Sequence, residues 1–372
     1  MEHCDILVIG AGIAGASAAY ELADSARVIV LERENQPGYH TTGRSAAIYT
    51  QNYGNREIRI LTVASRDFLT NPPDGFVDHP ILTQRGALFI ARVDQLDHLD
   101  AAMKAVIVSS IQRISGAEAV KINPSLDPEY VAGAIFEPDA QDIDVHSLHS
   151  GYLKDLRARG GRVVTNAEVF EISYNDGMWK ILTKAGEFCA PIIINAAGAW
   201  CDVIAKMAGV RPIGLLPKRR TVVTFDAPHG VDISSWPLTI DIDEEFYFKP
   251  DAGQILASPA DETLSPPCDA QPEELDIAIA IDRLMTATNL QVRRINNKWA
   301  GLRNFLPDKT PVVGLDGGAS GFFWLAGQGG YGIQTAPAIA RAVVSLIKTG
   351  ELPEDLTAAG LKKSDLSPDR LR

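Results

Sequence analysis

The pattern of apolar positions at the start of the chain predicts a β-α-β unit. Residues 5–9 are expected to form a short strand that is apolar after Asp5, and residues 13–24 a helix rich in small side chains. Residues 27–31 are expected to form a second strand, apolar after Arg27, that ends at Glu32. Strands that are apolar throughout, without alternation, are typical of a parallel sheet that is covered on both faces. We therefore expect the chain to begin with a parallel α/β layer.

Two later parts of the chain continue this α/β pattern. Apolar side chains at helical spacing from Val145 to Leu156 predict a helix, which Gly160 and Gly161 end. Residues 192–194 form another buried strand, and a final helix is expected over residues 332–347.

Between the α/β parts of the chain, the pattern of short strands predicts a second sheet that is mostly antiparallel. Short strands separated by Pro and Gly are expected over 220–225, 238–241, 245–249 and 253–257, and an earlier strand and helix over 82–92 and 94–107. We therefore expect an α/β fold, in which a Rossmann-like dinucleotide-binding domain carries an inserted, mostly antiparallel β-sheet domain. The expected boundaries are 1–74, 140–210 and 306–372 for the first domain, and 75–139 and 211–305 for the second.

Composition narrows the class of protein. A length of 372 residues fits two domains, and the net charge of −12 argues against a nucleic-acid partner. The four cysteines form no C-x-x-C pair, so we expect neither a disulfide framework nor a zinc site. His146 and His149 have helical spacing, but two ligands make a weak metal site, and we expect a solvated helix face and no bound metal. No signal peptide or transmembrane segment is predicted, which favours the cytoplasm.

The first chemical motif is Gly10-Ala11-Gly12-Ile13-Ala14-Gly15, between the first strand and the first helix. Gly10 permits a tight turn, Gly12 lets the backbone approach a pyrophosphate, and Gly15 allows close helix–strand packing. The N-terminus of the helix offers free N–H groups to phosphates. Glu32, at the end of the second strand, has the position of a carboxylate that binds ribose hydroxyls. The motif predicts a dinucleotide site but does not separate NAD from FAD.

Further motifs favour FAD. Gly43-Arg-Ser-Ala-Ala47 follows the second strand, Asn195-Ala-Ala-Gly-Ala-Trp200 follows a later strand, and Gly327-Gln-Gly-Gly-Tyr-Gly332 opens the last helix. Together with Pro217–Arg220, Phe246–Gly253 and Trp299–Arg303, they resemble the D-amino-acid oxidase family of flavoproteins, which includes glycine oxidase and sarcosine oxidase. The resemblance covers nearly the whole chain and is greatest to the D-arginine dehydrogenases of that family.

The resemblance implies that FAD is the cofactor, that the Rossmann-like domain binds it, and that the inserted sheet forms the substrate domain. Sarcosine oxidases attach their flavin to a cysteine near the last glycine motif, and this chain has none there, so we expect non-covalent FAD. The implied cofactor-binding residues are Gly10, Gly12, Ile13, Ala14, Gly15, Glu32, Arg33, Gly43, Arg44, Ser45, Ala46, Ala47, Val169, Ala197, Gly198, Trp200, Gly329, Gly330, Tyr331, Gly332, Ile333 and Gln334.

The resemblance also implies a substrate site. A guanidinium binds a carboxylate bidentately, and Arg220 and Arg303 match positions that hold the substrate carboxylate. Arg219 points to the opposite face if both neighbours lie in one strand. Tyr53 and Tyr247 match substrate-contacting tyrosines, and the backbone carbonyl of Gly330 would face the substrate amine. The helix after Gly330 would stabilise negative charge on the reduced flavin.

The expected reaction is oxidative deamination of a D-amino acid. A hydride passes from the α-carbon to flavin N5, and the released imino acid hydrolyses to a keto acid and ammonia. D-arginine dehydrogenases have a histidine and a glutamate in the pocket where this chain has Ile48 and Ala87. We therefore expect apolar or small side chains to be preferred.

Alternatives remain open from the sequence. Glycine, sarcosine or another N-alkyl amino acid fits the same scaffold, and so does a hydroxy acid or glycerol phosphate if further phosphate ligands exist. A flavoprotein without turnover, acting in assembly or sensing, belongs to another class. The electron acceptor, whether oxygen, a quinone or a dye-like carrier, is not predicted, although Lys249 is a candidate for assisting oxygen.

Overall fold

The computed structural model describes residues 1–106 and 110–372. Its strands are β1 (Glu2–His3), β2 (Ile6–Ile9), β3 (Val28–Leu31), β4 (Ile48–Tyr49), β5 (Leu82–Gln84), β6 (Ala87–Ala91), β7 (Gln112–Ser115), β8 (Gly133–Glu137), β9 (Gln141–Ile143), β10 (Arg162–Val164), β11 (Val169–Asn175), β12 (Met178–Thr183), β13 (Gly186–Ala190), β14 (Ile192–Asn195), β15 (Leu216–Asp226), β16 (Leu238–Asp241), β17 (Tyr247–Asp251), β18 (Gln254–Ser258), β19 (Asn297–Phe305), β20 (Val312–Leu315) and β21 (Phe322–Ala326).

Its α-helices are α1 (Ile13–Leu22), α2 (Arg56–Thr70), α3 (Leu96–Lys104), α4 (Gly116–Ile122), α5 (Val145–Ala158), α6 (Cys201–Met207), α7 (Glu274–Ala287), α8 (Gly332–Lys348), α9 (Glu354–Ala358) and α10 (Lys363–Leu366). Helices α1, α5 and α8 lie where the apolar pattern predicts helices. Of these helices, none has the length and apolarity that a membrane span requires.

A parallel sheet organises the first and last parts of the chain. Its strand order is β10-β3-β2-β14-β21-β20, and only the β20–β21 pair of these strands is antiparallel. Helices α1 and α8 cover one face through small and aliphatic side chains. The other face packs against α6 and a small sheet of order β1-β13-β12-β11. Burial on both faces explains why β2, β3 and β14 are apolar without alternation, and the predicted Rossmann-like layer is confirmed.

A second, larger sheet has the order β19-β15-β18-β17-β16-β6-β8-β7. Its neighbours pair antiparallel except β16 with β6, so the predicted mostly antiparallel sheet is confirmed. Phe225 and Phe248 pack on one face against Ile277 and Leu284 of α7. The opposite face is turned toward the parallel sheet. We call this second sheet the large sheet.

Two expected elements differ in detail. The predicted strand over 82–92 is interrupted, because Gly86 has φ +75 and redirects the chain. As a result, β5 pairs with β9 in a small sheet of order β4-β9-β5, while β6 belongs to the large sheet. The helix expected over 94–107 is observed as a short 3₁₀ turn, Val93–Gln95, followed by α3. The expected end of this helix at residue 107 lies outside the described residues. The exact boundaries of the two domains stay a prediction.

Candidate active site

A cavity of about 440 Å³ lies between the parallel sheet and the large sheet. The predicted site residues that line it are Gly10, Gly12, Ile13, Ala14, Glu32, Arg33, Arg44, Ser45, Ala46, Ala47, Ile48, Tyr53, Val169, Ala197, Gly198, Trp200, Arg220, Tyr247, Arg303, Gly329, Gly330, Gly332, Ile333 and Gln334. The predicted residues that are not among its described lining are Gly15, Gly43, Tyr331 and Ala87. One cavity thus brings the expected cofactor and substrate residues together.

The turn between β2 and α1 is built for close backbone approach. Gly10 has φ +104, and a Cβ atom there would lie 2.4 Å from the carbonyl oxygen of Ala196. A Cβ atom on Gly15 would lie 1.9 Å from the carbonyl oxygen of Gly10, so Gly15 acts in packing behind the cavity. The first N–H groups of α1 have no intrahelical acceptors, and this end of the helix fits a pyrophosphate.

Glu32 fixes the same turn. One carboxylate oxygen accepts a hydrogen bond from the N–H of Ala11 at 2.9 Å, and the other accepts from the N–H of Glu34 at 2.9 Å. Burial raises the pKa of Glu32, and the two N–H donors oppose that shift. Each oxygen keeps a second lone pair, so the carboxylate can still accept from ribose hydroxyls. Thr42, which the sequence did not single out, accepts from the N–H of Ile13 at 3.0 Å.

Arg44, one of the expected cofactor-binding residues, lines the cavity, but its guanidinium is engaged by other parts of the protein. Its guanidinium donates to the carbonyl oxygens of Ala270 and Ala300, both at 2.9 Å, and pairs with Asp269. The indole of Trp299 donates to the carbonyl oxygen of Arg44 at 3.1 Å. These contacts tie the Gly43–Ala47 segment to the large sheet and occupy the guanidinium, while the cofactor-binding role of Arg44 stays a prediction.

His149 corrects the expectation of a solvated pair on α5. His146 is exposed, but His149 is buried and its Nε2 donates to the carbonyl oxygen of Ala11 at 2.8 Å. A carbonyl can only accept, so this bond fixes the tautomer with the proton on Nε2. Burial lowers the pKa of His149, which keeps the ring neutral. The side chain therefore supports the Gly10–Gly12 turn from behind.

Replacing His149 by Leu should weaken FAD binding, and it should reduce the loss of folding stability that occurs as the pH falls. The variant leaves the Ala11 carbonyl without its donor, at a cost of about 1 kcal/mol, or roughly fivefold in FAD affinity. Because folding lowers the His149 pKa, the unfolded chain binds more protons, and native stability falls as pH drops below about 6.5. FAD titration by fluorescence and melting between pH 5 and 8 measure both effects. His146→Leu is the control, and equal losses in the two variants would contradict the role of His149.

Arg220 and Arg303 line the end of the cavity where the sequence analysis expects the substrate. Arg220 on β15 is 5% exposed, and its Nε donates to the carbonyl oxygen of Asp261 at 2.9 Å. Its Nη2 has no hydrogen-bond partner among the described residues, although the Glu262 carboxylate lies at 3.5 Å. Burial, and then the positive charge of Arg303, lower the pKa of Arg220. Two guanidiniums that repel each other here make a strong site for one anion.

The neighbouring Arg219 confirms that the two side chains point to opposite faces of β15. Arg219 pairs with Asp276 at 2.9 Å and with Glu273, both at the start of α7. It therefore belongs to the buried face of the large sheet.

The tyrosines lie against the two arginines. The Arg303 Nη1 donates to the Tyr53 hydroxyl at 3.4 Å, and the Arg220 guanidinium carbon lies 6.0 Å from the centre of the Tyr247 ring. Although burial opposes its charge, contact with Tyr53, Tyr247 and Glu244 raises the pKa of Arg303 above its ordinary value. Both phenols thus lie beside the guanidiniums that are expected to bind the substrate carboxylate, and their own contact with it stays a prediction.

The loop before α8 closes the floor of this end. A Cβ atom on Gly330 would lie 2.8 Å from the Arg303 Nη1, so the guanidinium packs directly on the Gly330 backbone. The Tyr331 ring packs on Tyr53, with ring centres 4.9 Å apart, so Tyr331 supports the cavity from behind. Helix α8 starts at Gly332, and its first N–H groups lack intrahelical acceptors. This end can stabilise negative charge on a bound ring system.

The expected specificity residues have different positions. Ile48 lines the cavity together with Leu238 and Ile240 of β16, which the sequence did not single out. Ala87 pairs with Leu238 in the parallel register, so its side chain points to the same face, but it is fully buried beside these residues. Its specificity role stays a prediction.

Glu244 is a cavity residue that the sequence analysis missed. It lies in the turn between β16 and β17 with φ +57, and its carboxylate accepts from the Tyr53 hydroxyl at 3.1 Å. Only the unusual backbone of this turn aims it at the cavity, and the sequence pattern carries no clear sign of that. Lys249 is not among the described lining residues, because its Nζ is buried in an ion pair with Asp142 at 2.6 Å.

Comparison with known proteins finds relatives in sequence and in fold. The chain is 25% identical to the uncharacterized oxidoreductase YurR of Bacillus subtilis, over 94% of this chain and 96% of that protein. It superposes on L-proline dehydrogenase from P. horikoshii with TM-score 0.83 and 22% identity, covering 99% of this chain and 98% of that one. Glycine oxidase from Geobacillus kaustophilus gives TM-score 0.83 and 20% identity, covering 98% and 99%.

These similarities support the family and do not support the narrower resemblance to D-arginine dehydrogenases. The family model described as FAD dependent oxidoreductase (DAO) matches residues 5–346, which include both sheets and the whole cavity lining. FAD is therefore the cofactor of this chain, while the cofactor-binding roles of the Gly10–Gly15 turn, Glu32 and the start of α8 stay predictions. The chain belongs to the DAO family of FAD-dependent oxidoreductases.

Proposed function

We propose that this enzyme oxidises the α-carbon of a D-amino acid with a small or apolar side chain. The observation that carries the proposal is the pair of guanidiniums, Arg220 and Arg303, which face one cavity from adjacent strands beside Tyr53 and Tyr247. A carboxylate is the ligand that such a pair binds most strongly in a buried site.

The charges at this end favour the reactive form of an amino acid. Arg220 and Arg303 place two guanidiniums at this end, with the carboxylates of Glu244 and Glu262 beside them. The guanidiniums attract the substrate carboxylate and repel an ammonium group, so they favour the substrate with an ionised carboxylate and a neutral amine over the zwitterion. The neutral amine has the lone pair that assists loss of the α-hydrogen, and we expect the Gly330 carbonyl to accept from its N–H.

The bound FAD supplies the two-electron acceptor for the hydride from the α-carbon. The chain orients the substrate: Arg220 and Arg303 hold the carboxylate, Tyr53 covers it, and Ile48, Leu238 and Ile240 offer an apolar wall for the side chain. The α-carbon gives up the hydride and the nitrogen gives up a proton to water, and the resulting imino acid reacts with water to give a keto acid and ammonia.

Product analysis separates this reaction from its alternatives. With D-leucine and an excess of a dye acceptor, we expect 4-methyl-2-oxopentanoate and ammonia in equal amounts, and less turnover with L-leucine, glycine and sarcosine. Faster turnover of glycine or sarcosine would favour an amine oxidase of small substrates. Failure of every amino acid to reduce the dye would favour a flavoprotein without turnover.

A further inference from the structure

Strand β8 ends at a buried carboxylate that the reaction scheme does not use. Glu137 is 2% exposed, and its two oxygens accept hydrogen bonds from the Thr50 hydroxyl at 2.7 Å and from the N–H of Gln51 at 2.8 Å. The N–H of Asn52 is a third donor. Among the described residues, no lysine, arginine or histidine forms an ion pair with Glu137. Its partners therefore come from one short segment, Thr50–Asn52.

The buried Glu137 carboxylate is stabilised only while the Thr50–Asn52 segment keeps its position. Burial raises the pKa of Glu137, and the donors from Thr50, Gln51 and Asn52 oppose that shift. A buried carboxylate without these donors loses much of its compensation for the water it has left. Charge-assisted hydrogen bonds are about twice as strong as neutral ones, so Glu137 fixes these three residues more firmly than a neutral side chain would.

Tyr53, which lines the cavity beside Arg303, directly follows the Thr50–Asn52 segment in the chain. Tyr53 meets Arg303 at 3.4 Å and Glu244 at 3.1 Å, and Thr50 itself lines the cavity. On the other side, the Gln334 side chain of α8 accepts from the N–H of Thr50 at 3.3 Å. The segment is thus held between the large sheet and the helix at the cavity floor, with Tyr53 at its end.

We propose that Glu137 is a positioning residue that acts through Thr50–Asn52 to hold Tyr53 against Arg303. The proposal rests on the proposed function, in which Arg303 binds the substrate carboxylate. Loosening this segment displaces a phenol that covers the carboxylate and leaves both arginines and the cofactor turn unchanged. The effect therefore falls on carboxylate binding more than on the rate of the bound complex.

Glu137→Gln tests the proposal, because it keeps the shape and removes the charge and one acceptor. We expect the Kd of 4-methylpentanoate, a leucine analogue without the amine, to rise about 5- to 10-fold, measured by the change in flavin absorbance. The KM of D-leucine should rise similarly, with kcat changed less than about twofold and FAD retained. Amide exchange of peptides covering residues 50–53 should be faster in the variant without any substrate.

Asp202→Asn is the matched control. The Asp202 carboxylate also fixes a loop, by accepting from the N–H groups of Ile213 at 3.0 Å and Leu215 at 2.8 Å, and it does not line the cavity among the described residues. We expect this variant to lose thermal stability with unchanged KM and Kd. Unchanged exchange at residues 50–53 in Glu137→Gln, or equal rises in KM for both variants, would overturn the proposal. Failure of the proposed function would give a different result, because the unmodified protein would then bind neither 4-methylpentanoate nor D-leucine.

Discussion

Arg220→Met and Arg303→Met should each retain FAD and lose most of their efficiency toward amino acids. Each variant removes one half of a charge-assisted site in which Arg220 is buried, Arg303 is half-buried, and both guanidiniums have few partners of their own. Loss of such a pair costs about 2–4 kcal/mol, which corresponds to roughly 30- to 1000-fold in kcat/KM. Steady-state kinetics with D-leucine, together with the flavin content of each variant, measures the effect.

Arg219→Met is the control for this pair of variants. Arg219 precedes Arg220 in the same strand, but it pairs with Glu273 and Asp276 on the opposite face of the large sheet. We expect this variant to melt at a lower temperature with kcat/KM close to that of the unmodified enzyme. Near-normal kcat/KM in both Arg220→Met and Arg303→Met would mean that the carboxylate is held elsewhere.

The second large effect concerns the substrate side chain. We expect kcat/KM to be higher for D-leucine and D-alanine than for D-arginine. An apolar side chain against Ile48, Leu238 and Ile240 gains about 0.8 kcal/mol per buried CH₂, whereas a guanidinium there loses water without a partner. The difference between D-leucine and D-arginine should reach several kcal/mol. Parallel kcat/KM measurements with the three D-amino acids give this difference.

Two variants determine which residue sets the preference. Ala87→Glu adds a carboxylate on β6, on the face of the large sheet that Leu238 and Ile240 of β16 share. We expect it to improve kcat/KM for D-arginine relative to D-leucine. Glu244 already supplies a carboxylate at the cavity, but it is engaged by Tyr53 and lies beside Arg303. If D-arginine were the best substrate, the apolar wall would not set specificity. Loss of that activity in Glu244→Gln would then assign the preference to Glu244.

Local patterns predicted the cofactor end and the direction of the arginines. The β2-turn-α1 unit follows from an apolar run and three glycines, and the opposite directions of Arg219 and Arg220 follow from strand alternation. Each of these features depends on a few consecutive residues, so the local sequence is enough to predict it.

Residues that act through distant contacts could not be predicted in the same way. Glu137 meets Thr50 across 87 positions of the chain, and His149 meets Ala11 across 138. The position of His149 on the predicted helix does not distinguish it from a solvent-exposed residue. It is buried because α5 packs against the turn between β2 and α1. Glu244 reaches the cavity through a positive φ that a non-glycine residue seldom adopts. Such contacts follow from the assembled fold.

Anaerobic reduction of the bound flavin by single amino acids tests the central claim most directly. Mixing the oxidised protein with D-leucine, without oxygen or an added electron acceptor, should bleach the flavin absorbance near 450 nm. The rate of bleaching should saturate as the D-leucine concentration increases. L-leucine should bleach it more slowly, and Arg303→Met should require a much higher D-leucine concentration. A flavin that stays oxidised with every D- and L-amino acid, glycine and sarcosine, while dithionite reduces it fully, would contradict an amino-acid oxidoreductase.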